Sequence, residues 1–271
     1  AWGSDEDAPA EGVFGRGNLP SLTRSDWVHN CNDSYWLTNP EQPLTGFASI
    51  IGDEGTARTL RTRLCITQVE ERLDGSDGKP GELGFDMGNL QETVLGSQVM
   101  SERLARNAVL DAYCNPLTDV LNGLTQSGQG EACTALAAWD GTYNLDSRGG
   151  HIWREFWSRI NPLPVDSPVK WLVPFVSTDP VNTPRMFNPL DPLVIQAFVS
   201  AVQAIQDAGV AFDAKLEDIQ YSGVHGDSRI PVFGGESFEG AFTIASTGGS
   251  GLADNGGYPV LFGNSYIQTV R

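Results

Sequence analysis

An α+β fold is predicted by three features of the sequence, met in chain order. Residues 1–53 carry only short apolar runs between turn-forming residues, and residues 54–209 carry apolar stripes at helical spacing. Residues 210–271 switch to a period of two, broken by Gly-rich turns. Elements segregated in this way belong to α+β architectures rather than to alternating α/β ones. At 271 residues the chain suffices for one large domain or two modest ones, and it shows no internal repeat.

The first 24 residues are rich in Gly, Pro and Asp and read as an extended surface stretch. A short strand is expected over Asp26 to Asn30, a turn-rich loop over Asn30 to Asn39, and a second short apolar run over Phe47 to Ile51. From Glu54 to Leu73 the pattern is helical, with Ala57, Leu60, Leu64 and Val69 near one face. Asp74 to Gly81 breaks it. That segment superficially resembles a calcium loop, but the remaining ligand positions are missing, and a solvated turn is expected.

Helices are then predicted over Met87 to Gly96, Ser101 to Tyr113, Glu131 to Ala138 and Gly150 to Ile160. The last carries Ile152, Trp153, Phe156 and Trp157 as one stripe, a pattern of core rather than of a binding box. Residues 161–189 hold many of the prolines and read as a long irregular connection. The clearest helix is 191–208. Asp191 is its cap, Pro192 suits its first position, Val194, Ile195, Phe198, Val202 and Ile205 form the buried stripe, and Gly209 supplies the left-handed stop. Strands are expected over Asp218 to Val224, Arg229 to Phe233, Ala241 to Ala245 and Val260 to Val270.

Composition excludes several function classes. Seventeen Lys and Arg stand against 34 Asp and Glu, a net charge of -17. Such a chain repels phosphate backbones and anionic lipid, so neither nucleic acid nor membrane is an expected partner. No run approaches the roughly 20 apolar residues that span a bilayer. No signal peptide is visible at Ala1, and both ends read as cut from something longer. The four cysteines, Cys31, Cys65, Cys114 and Cys133, show no Cys-x-x-Cys spacing, which argues against structural zinc. Cys114 and Cys133 flank a Gly/Ser/Gln loop, Gly123 to Gly130. They are either a bridge stapling a helix hairpin or two buried thiols. The even count in an acidic chain fits a disulfide-permissive compartment.

Several catalytic signatures are absent. The sequence has no Gly-x-Ser-x-Gly elbow, no His-Glu-x-x-His and no phosphate-binding Gly-rich loop, and His29, His151 and His225 lie in unlike contexts. The informative stretch is Asp26-Trp27-Val28-His29-Asn30-Cys31-Asn32-Asp33-Ser34-Tyr35-Trp36-Leu37-Thr38-Asn39-Pro40. Carboxamides are costly to bury unless hydrogen-bonded, and they can donate to a developing oxyanion. An ordinary Asx-rich turn explains the same residues, and Asn32-Asp33-Ser34 is also a glycosylation sequon. Residue chemistry alone favours the turn.

This stretch resembles the Asn-x-Asn-Asp/Asn-Ser signature in the β-subunit of the penicillin-acylase family. With Pro43-Leu44-Thr45-Gly46-Phe47 it is especially similar to the branch of acyl-homoserine-lactone and aculeacin-type lipopeptide acylases. Further similar motifs follow in order. They are Arg58-Thr59-Leu60-Arg61-Thr62-Arg63-Leu64, Leu136-Ala137-Ala138-Trp139-Asp140-Gly141, Asp179-Pro180-Val181-Asn182-Thr183-Pro184-Arg185, Arg229-Ile230-Pro231-Val232-Phe233-Gly234-Gly235 and Gly263-Asn264-Ser265-Tyr266.

The resemblance implies part of an N-terminal-nucleophile hydrolase, an αββα sandwich in which a precursor cleaves itself and frees a Ser at the new β-subunit N-terminus. That Ser attacks an amide carbonyl with its own α-amino group as base, and water hydrolyses the acyl-enzyme. By motif match Asn32 is the side-chain oxyanion donor. The family's downstream Arg, which orients the Asn and the nucleophile's amine, is Arg58 by first choice and Arg61 by second.

The resemblance implies no cofactor or metal, and a secreted or periplasmic location. Expected partners are an α-subunit, a nucleophile-bearing N-terminal segment of the β-subunit, and an acylated small molecule or lipopeptide as substrate. Two departures stand out: Ala1 has no hydroxyl to act as nucleophile, and Cys31 replaces a Ser found in many relatives. An inactive secreted binding or scaffold domain with the same fold is the alternative that the missing nucleophile motivates.

Overall fold

The computed structural model describes residues 5–115, 128–224, 228–249, 251–252, 256–264 and 267–270. Helices α1 (Leu60–Asp74), α2 (Met87–Leu95), α3 (Met100–Tyr113), α4 (Gln129–Ala138) and α5 (Gly150–Ile160) come first. A hairpin of β1 (Trp171–Val173) and β2 (Arg185–Phe187) leads to α6 (Pro192–Asp207) and the single-turn α7 (Leu216–Ile219). Strands β3 (Gln220–Ser222), β4 (Ala245–Ser246), β5 (Tyr258–Val260) and β6 (Phe262–Gly263) close the described order. The mixture of helix and strand is α+β in kind.

Helix α6 forms for the local reasons its residues supply. Asp191 accepts the backbone N–H of Leu193 at 2.9 Å, Pro192 opens the helix, and Gly209 takes φ 66° just beyond it. Its buried face of Val194, Phe198, Val202 and Ile205 packs on α5. There Trp153 stacks on Trp157 at 5.7 Å, and Phe156 meets Phe198 at 5.8 Å. One apolar cluster runs from Leu60 through these aromatics to Leu216. The Ile152, Trp153, Phe156, Trp157 stripe is core, as its spacing indicates.

Several expected elements differ. The helix expected from Glu54 starts at Leu60, because Thr59 caps it by accepting the N–H of Thr62 at 3.2 Å. Asp26 to Asn30 is not a strand: the N–H of His29 bonds the Thr38 carbonyl at 3.0 Å, and Asn39 reaches the Trp27 carbonyl at 3.1 Å. Its partner is thus a turn held partly by side chains. Residues 161–189 are not irregular throughout, since β1 and β2 pair antiparallel with Trp171 opposite Phe187. Three-residue strands are too short to print a period of two. The turn after α1 wraps the buried Arg72 guanidinium, which donates to Asp77, to the Lys79 carbonyl at 3.3 Å and to the Glu82 carbonyl at 2.9 Å.

The strand-rich end is more broken than its alternation suggests. Strand β3 pairs parallel with β5, and β4 pairs antiparallel with β6. Arg229 to Phe233 contributes one isolated bridge, Tyr221 to Pro231, and residues 267–270 are coil. Side chains take over backbone partners that a ladder would use. The Gln220 amide donates to the Val232 and Gly234 carbonyls at 2.7 and 2.9 Å, and Glu236 accepts the N–H of Thr247 at 2.8 Å.

Both cysteine pairs are bridged. Cys114–Cys133 staples α3 to α4 across a Cα–Cα distance of 5.4 Å, and Cys31–Cys65 spans 6.8 Å. The second pairing was not legible from spacing. Most of the loop expected at Gly123 to Gly130, together with His225, Ser265 and Tyr266, lies outside the described residues.

Candidate oxyanion site

The Asn loop is shaped first by its own side chains. Asn30 Oδ1 accepts the N–H of Asn32 at 2.8 Å, and Asp33 Oδ1 accepts that of Ser34 at 2.7 Å. Between these turns Asn32 takes φ 57°, a left-handed conformation that Asn tolerates better than most residues. Ser34 then caps the 3-10 turn Tyr35–Leu37, whose Trp36 and Leu37 are buried with Ile66 of α1.

Helix α1 grips the loop on both sides of Asn32. Cys31 is bonded to Cys65. Asp33 accepts from Arg58 Nη1 at 2.9 Å, from the Thr59 N–H at 3.2 Å and from Thr62 Oγ1 at 2.6 Å. Positions 61, 62 and 65 share a helix face, and Arg58 and Thr59 sit at its N-terminal end, where a carboxylate is favoured. Burial opposes the Asp33 charge, but the bonds from Thr62 and Ser34 and the Arg58 guanidinium outweigh it and hold the carboxyl below its ordinary value.

The two candidate arginines do different things. Arg58 binds Asp33, the Thr56 carbonyl at 3.1 Å and the Thr56 hydroxyl; no contact with Asn32 is among its bonds. Arg61 Nη1 donates to Asn32 Oδ1 at 3.2 Å and to the Cys31 carbonyl at 2.7 Å, while its Nε donates to the Phe242 carbonyl at 3.3 Å. Its guanidinium also lies 5.4 Å from the Phe242 ring centroid. Guanidinium has no acceptor, so the Asn32 carboxamide must present oxygen to it. The amide N–H₂ is thereby turned away from Arg61, free in orientation to serve as a donor.

Asn32 is exposed, and it borders a cleft of about 490 Å³. Arg61, Trp157, Leu163, Val165, Lys170 and Phe238 form much of its wall. Although the chain is strongly acidic, no Asp or Glu is among the residues lining this cleft, which holds two cations. Lys170 is 4% exposed and donates to the Leu163 carbonyl at 3.0 Å. Burial lowers its pKa to about 8, against the opposing pull of the Asp166 charge. Two cations in the wall and an amide N–H₂ not engaged by Arg61 are compatible with a carbonyl oxygen that becomes negative.

Neither His29 nor His151 lines the cleft. His29 Nε2 bonds the Leu37 carbonyl at 2.7 Å, and His151 is buried in α5, where burial lowers its pKa to about 4. A larger groove of about 910 Å³ beside α4 and the end of α6 contains none of the candidate residues. Sequence reasoning missed the Cys31–Cys65 bridge, the Asp33 clamp and Lys170. Helical spacing puts residues 61, 62 and 65 on one face of α1 but does not say which loop meets that face, and Lys170 had no signal.

A carboxamide fixed by a guanidinium at a cleft is the kind of site that acyl-transfer hydrolases use for an oxyanion. The chain belongs to the penicillin amidase family, whose model, described as Penicillin amidase, matches residues 1–271. It is 36% identical to aculeacin-A acylase of Actinoplanes utahensis over 100% of this chain and 33% of that protein. It is 30% identical to the acyl-homoserine lactone acylase PvdQ of Pseudomonas fluorescens over 100% of this chain and 32% of that protein. The PvdQ acylase of Pseudomonas putida is 31% identical over 99% of this chain and 32% of its own length. The chain thus spans about one third of the length of these relatives.

Proposed function

We propose that this chain supplies the oxyanion half of an amide-hydrolysing acylase site, and that a Ser nucleophile reaches the same cleft from a β-subunit N-terminal segment that is not part of this chain. The observation carrying the reading is the Arg61 bond to Asn32 Oδ1, which turns the amide N–H₂ toward service as a donor. The substrate is an amide joining an acyl chain to an amphipathic amine, of the lipopeptide, acyl-homoserine-lactone or penicillin type. Relatives named as acylases support this class. Asn32 is the catalytic donor, and Arg61 rather than Arg58 is its orienting partner.

An α-subunit completes the assembly, and with it the αββα sandwich. Exposed apolar residues at the strand-rich end, Leu261 and Phe262, support pairing with strands supplied from elsewhere. A secreted or periplasmic location is supported by two disulfides. Among the described residues no helix is long and apolar enough to cross a membrane.

The test uses the assembled enzyme. Its companion polypeptides are sequenced from their N-termini, and release of free carboxylic acid from an acyl amide is measured. A companion beginning with Ser and an Asn32→Ala variant reduced about a hundredfold or more in turnover are expected. A complex with no Ser, Thr or Cys at a new N-terminus and no acid release would instead indicate a binding domain. A glycan on Asn32, seen by intact mass, would remove that residue from catalysis.

A further inference from the structure

The two members of the Asn32–Arg61 pair come from segments 29 residues apart, and their bond is noncovalent. A covalent link nevertheless runs beside it. Cys31 directly precedes Asn32, Cys65 follows Arg61 by one helical turn on the same face of α1, and the two sulfurs are bonded. Arg61 Nη1 also donates to the Cys31 carbonyl, so the link and the pair share a residue. Cys31 is itself part of the cleft wall.

We infer that Cys31 and Cys65 are positioning residues for the oxyanion donor, their disulfide holding the Asn32 carboxamide in register with Arg61 so that the bond's redox state sets turnover. The inference rests on the oxyanion reading of Asn32. Its physical basis is the backbone. Asn32 sits at φ 57°, a left-handed conformation that Asn tolerates but that its chain neighbours must hold for the carboxamide to stay aligned. The disulfide fixes the residue before it, and Asp33 fixes the residue after it through Arg58, Thr59 and Thr62. Opening the bridge removes the covalent restraint before Asn32 and leaves that side to the Arg61 bond on the Cys31 carbonyl and the Asn30 bond to the Asn32 N–H. A displacement of about 1 Å at such a group costs about a hundredfold in rate, and partial release through one clamp is expected to cost about tenfold.

The other bridge provides the contrast. Cys114–Cys133 joins α3 to α4, and no residue of either helix lines the cleft. It therefore controls for general stability. Opening Cys31–Cys65 consumes two electrons and two protons and yields two thiols. A dithiol such as dithiothreitol supplies them and closes into its own cyclic disulfide.

The experiment uses the assembled enzyme and a short acyl amide. Turnover and KM are measured for the wild type, Asn32→Ala, the Cys31→Ser/Cys65→Ser double variant and the triple variant combining all three changes. Loss of kcat by about tenfold in the double variant, with KM little changed, is expected. In the Asn32→Ala background the same cysteine changes should cost almost nothing, because the group they position is gone.

Should the double variant not fold, the Cys114→Ala/Cys133→Ala enzyme is reduced with dithiothreitol and reoxidised after folding. Its kcat should fall and return, whereas the same treatment should not alter the residual rate when Asn32→Ala is added. Equal losses with and without Asn32, or lost thermal stability at unchanged kcat, would overturn the inference while leaving the oxyanion reading intact. An Asn32→Ala enzyme as active as wild type would overturn both.

Discussion

Arg61 holds the side-chain oxygen of Asn32 and the main-chain oxygen of Cys31 with one nitrogen, at 3.2 and 2.7 Å. A single guanidinium thus sets both the rotamer of the amide and the backbone that carries it. Arg61 is 8% exposed, and burial lowers its pKa, so little solvent competes for its donors.

Replacing that fork should therefore hurt catalysis more than replacing its neighbour. Arg61→Lys keeps the charge but cannot reproduce the planar donor geometry. A kcat loss of about ten- to a hundredfold is expected, against less than about threefold for Arg58→Lys, whose bonds go to Asp33 and Thr56. Steady-state kinetics on both variants of the assembled enzyme decide the assignment. A larger kcat loss at Arg58 would reverse it.

The Asp33 clamp should show in stability at low pH. Its carboxyl titrates below its ordinary value of 3.8, so its contribution is present above that value and is lost as pH falls through the lowered one. Asp33→Asn should cost about 1–3 kcal/mol at neutral pH and flatten the acid limb of the stability curve below roughly pH 4. Urea unfolding at pH 3, 4 and 7 measures both effects, and an unchanged acid limb in the variant would contradict them.

Buried Glu239 should act with the opposite sign. Burial raises its pKa from 4.5 to about 7, despite the Arg154 charge at 3.6 Å and the bond from the Tyr143 hydroxyl. Below 4.5 its stabilising protonated state is fully present. As pH rises through about 7 that contribution is lost, because the folded protein must release a proton the unfolded chain gave up earlier. Melting temperature should accordingly decline between these values in the wild type and decline less in Glu239→Gln. Parallel curves would place the titration elsewhere.

Core packing around α5 and α6 should tolerate little. Phe198 lies 5.0 Å from Tyr113 and 5.8 Å from Phe156 and is fully buried. Phe198→Ala should destabilise by about 3–5 kcal/mol, read as a shift in the urea midpoint at unchanged slope. A loss under about 1 kcal/mol would mean that the neighbouring rings close the gap.

What was legible in the sequence follows from the range of the forces involved. Helix α6 and the aromatic stripe of α5 declare themselves locally, through Asp191, Gly209 and the spacing of Trp153, Phe156 and Trp157. The short strands do not, because Gln220, Glu236 and Asn264 divert backbone groups to side chains at a distance. The Asn32 loop stood out as a motif, but its orienting arginine did not. The motif match ranks Arg58 first and Arg61 second, whereas the path of α1 past Cys31 brings Arg61 to Asn32 and leaves Arg58 on Asp33.

Trp157 faces two ways: it stacks on Trp153 within the core, and it forms part of the wall beside Asn32. Reshaping the cavity there for a bulkier ligand would also loosen the protein's interior. Leu163 and Val165 border the same space without being fully buried, so under the proposed function the cleft can be reshaped there at less cost to the core.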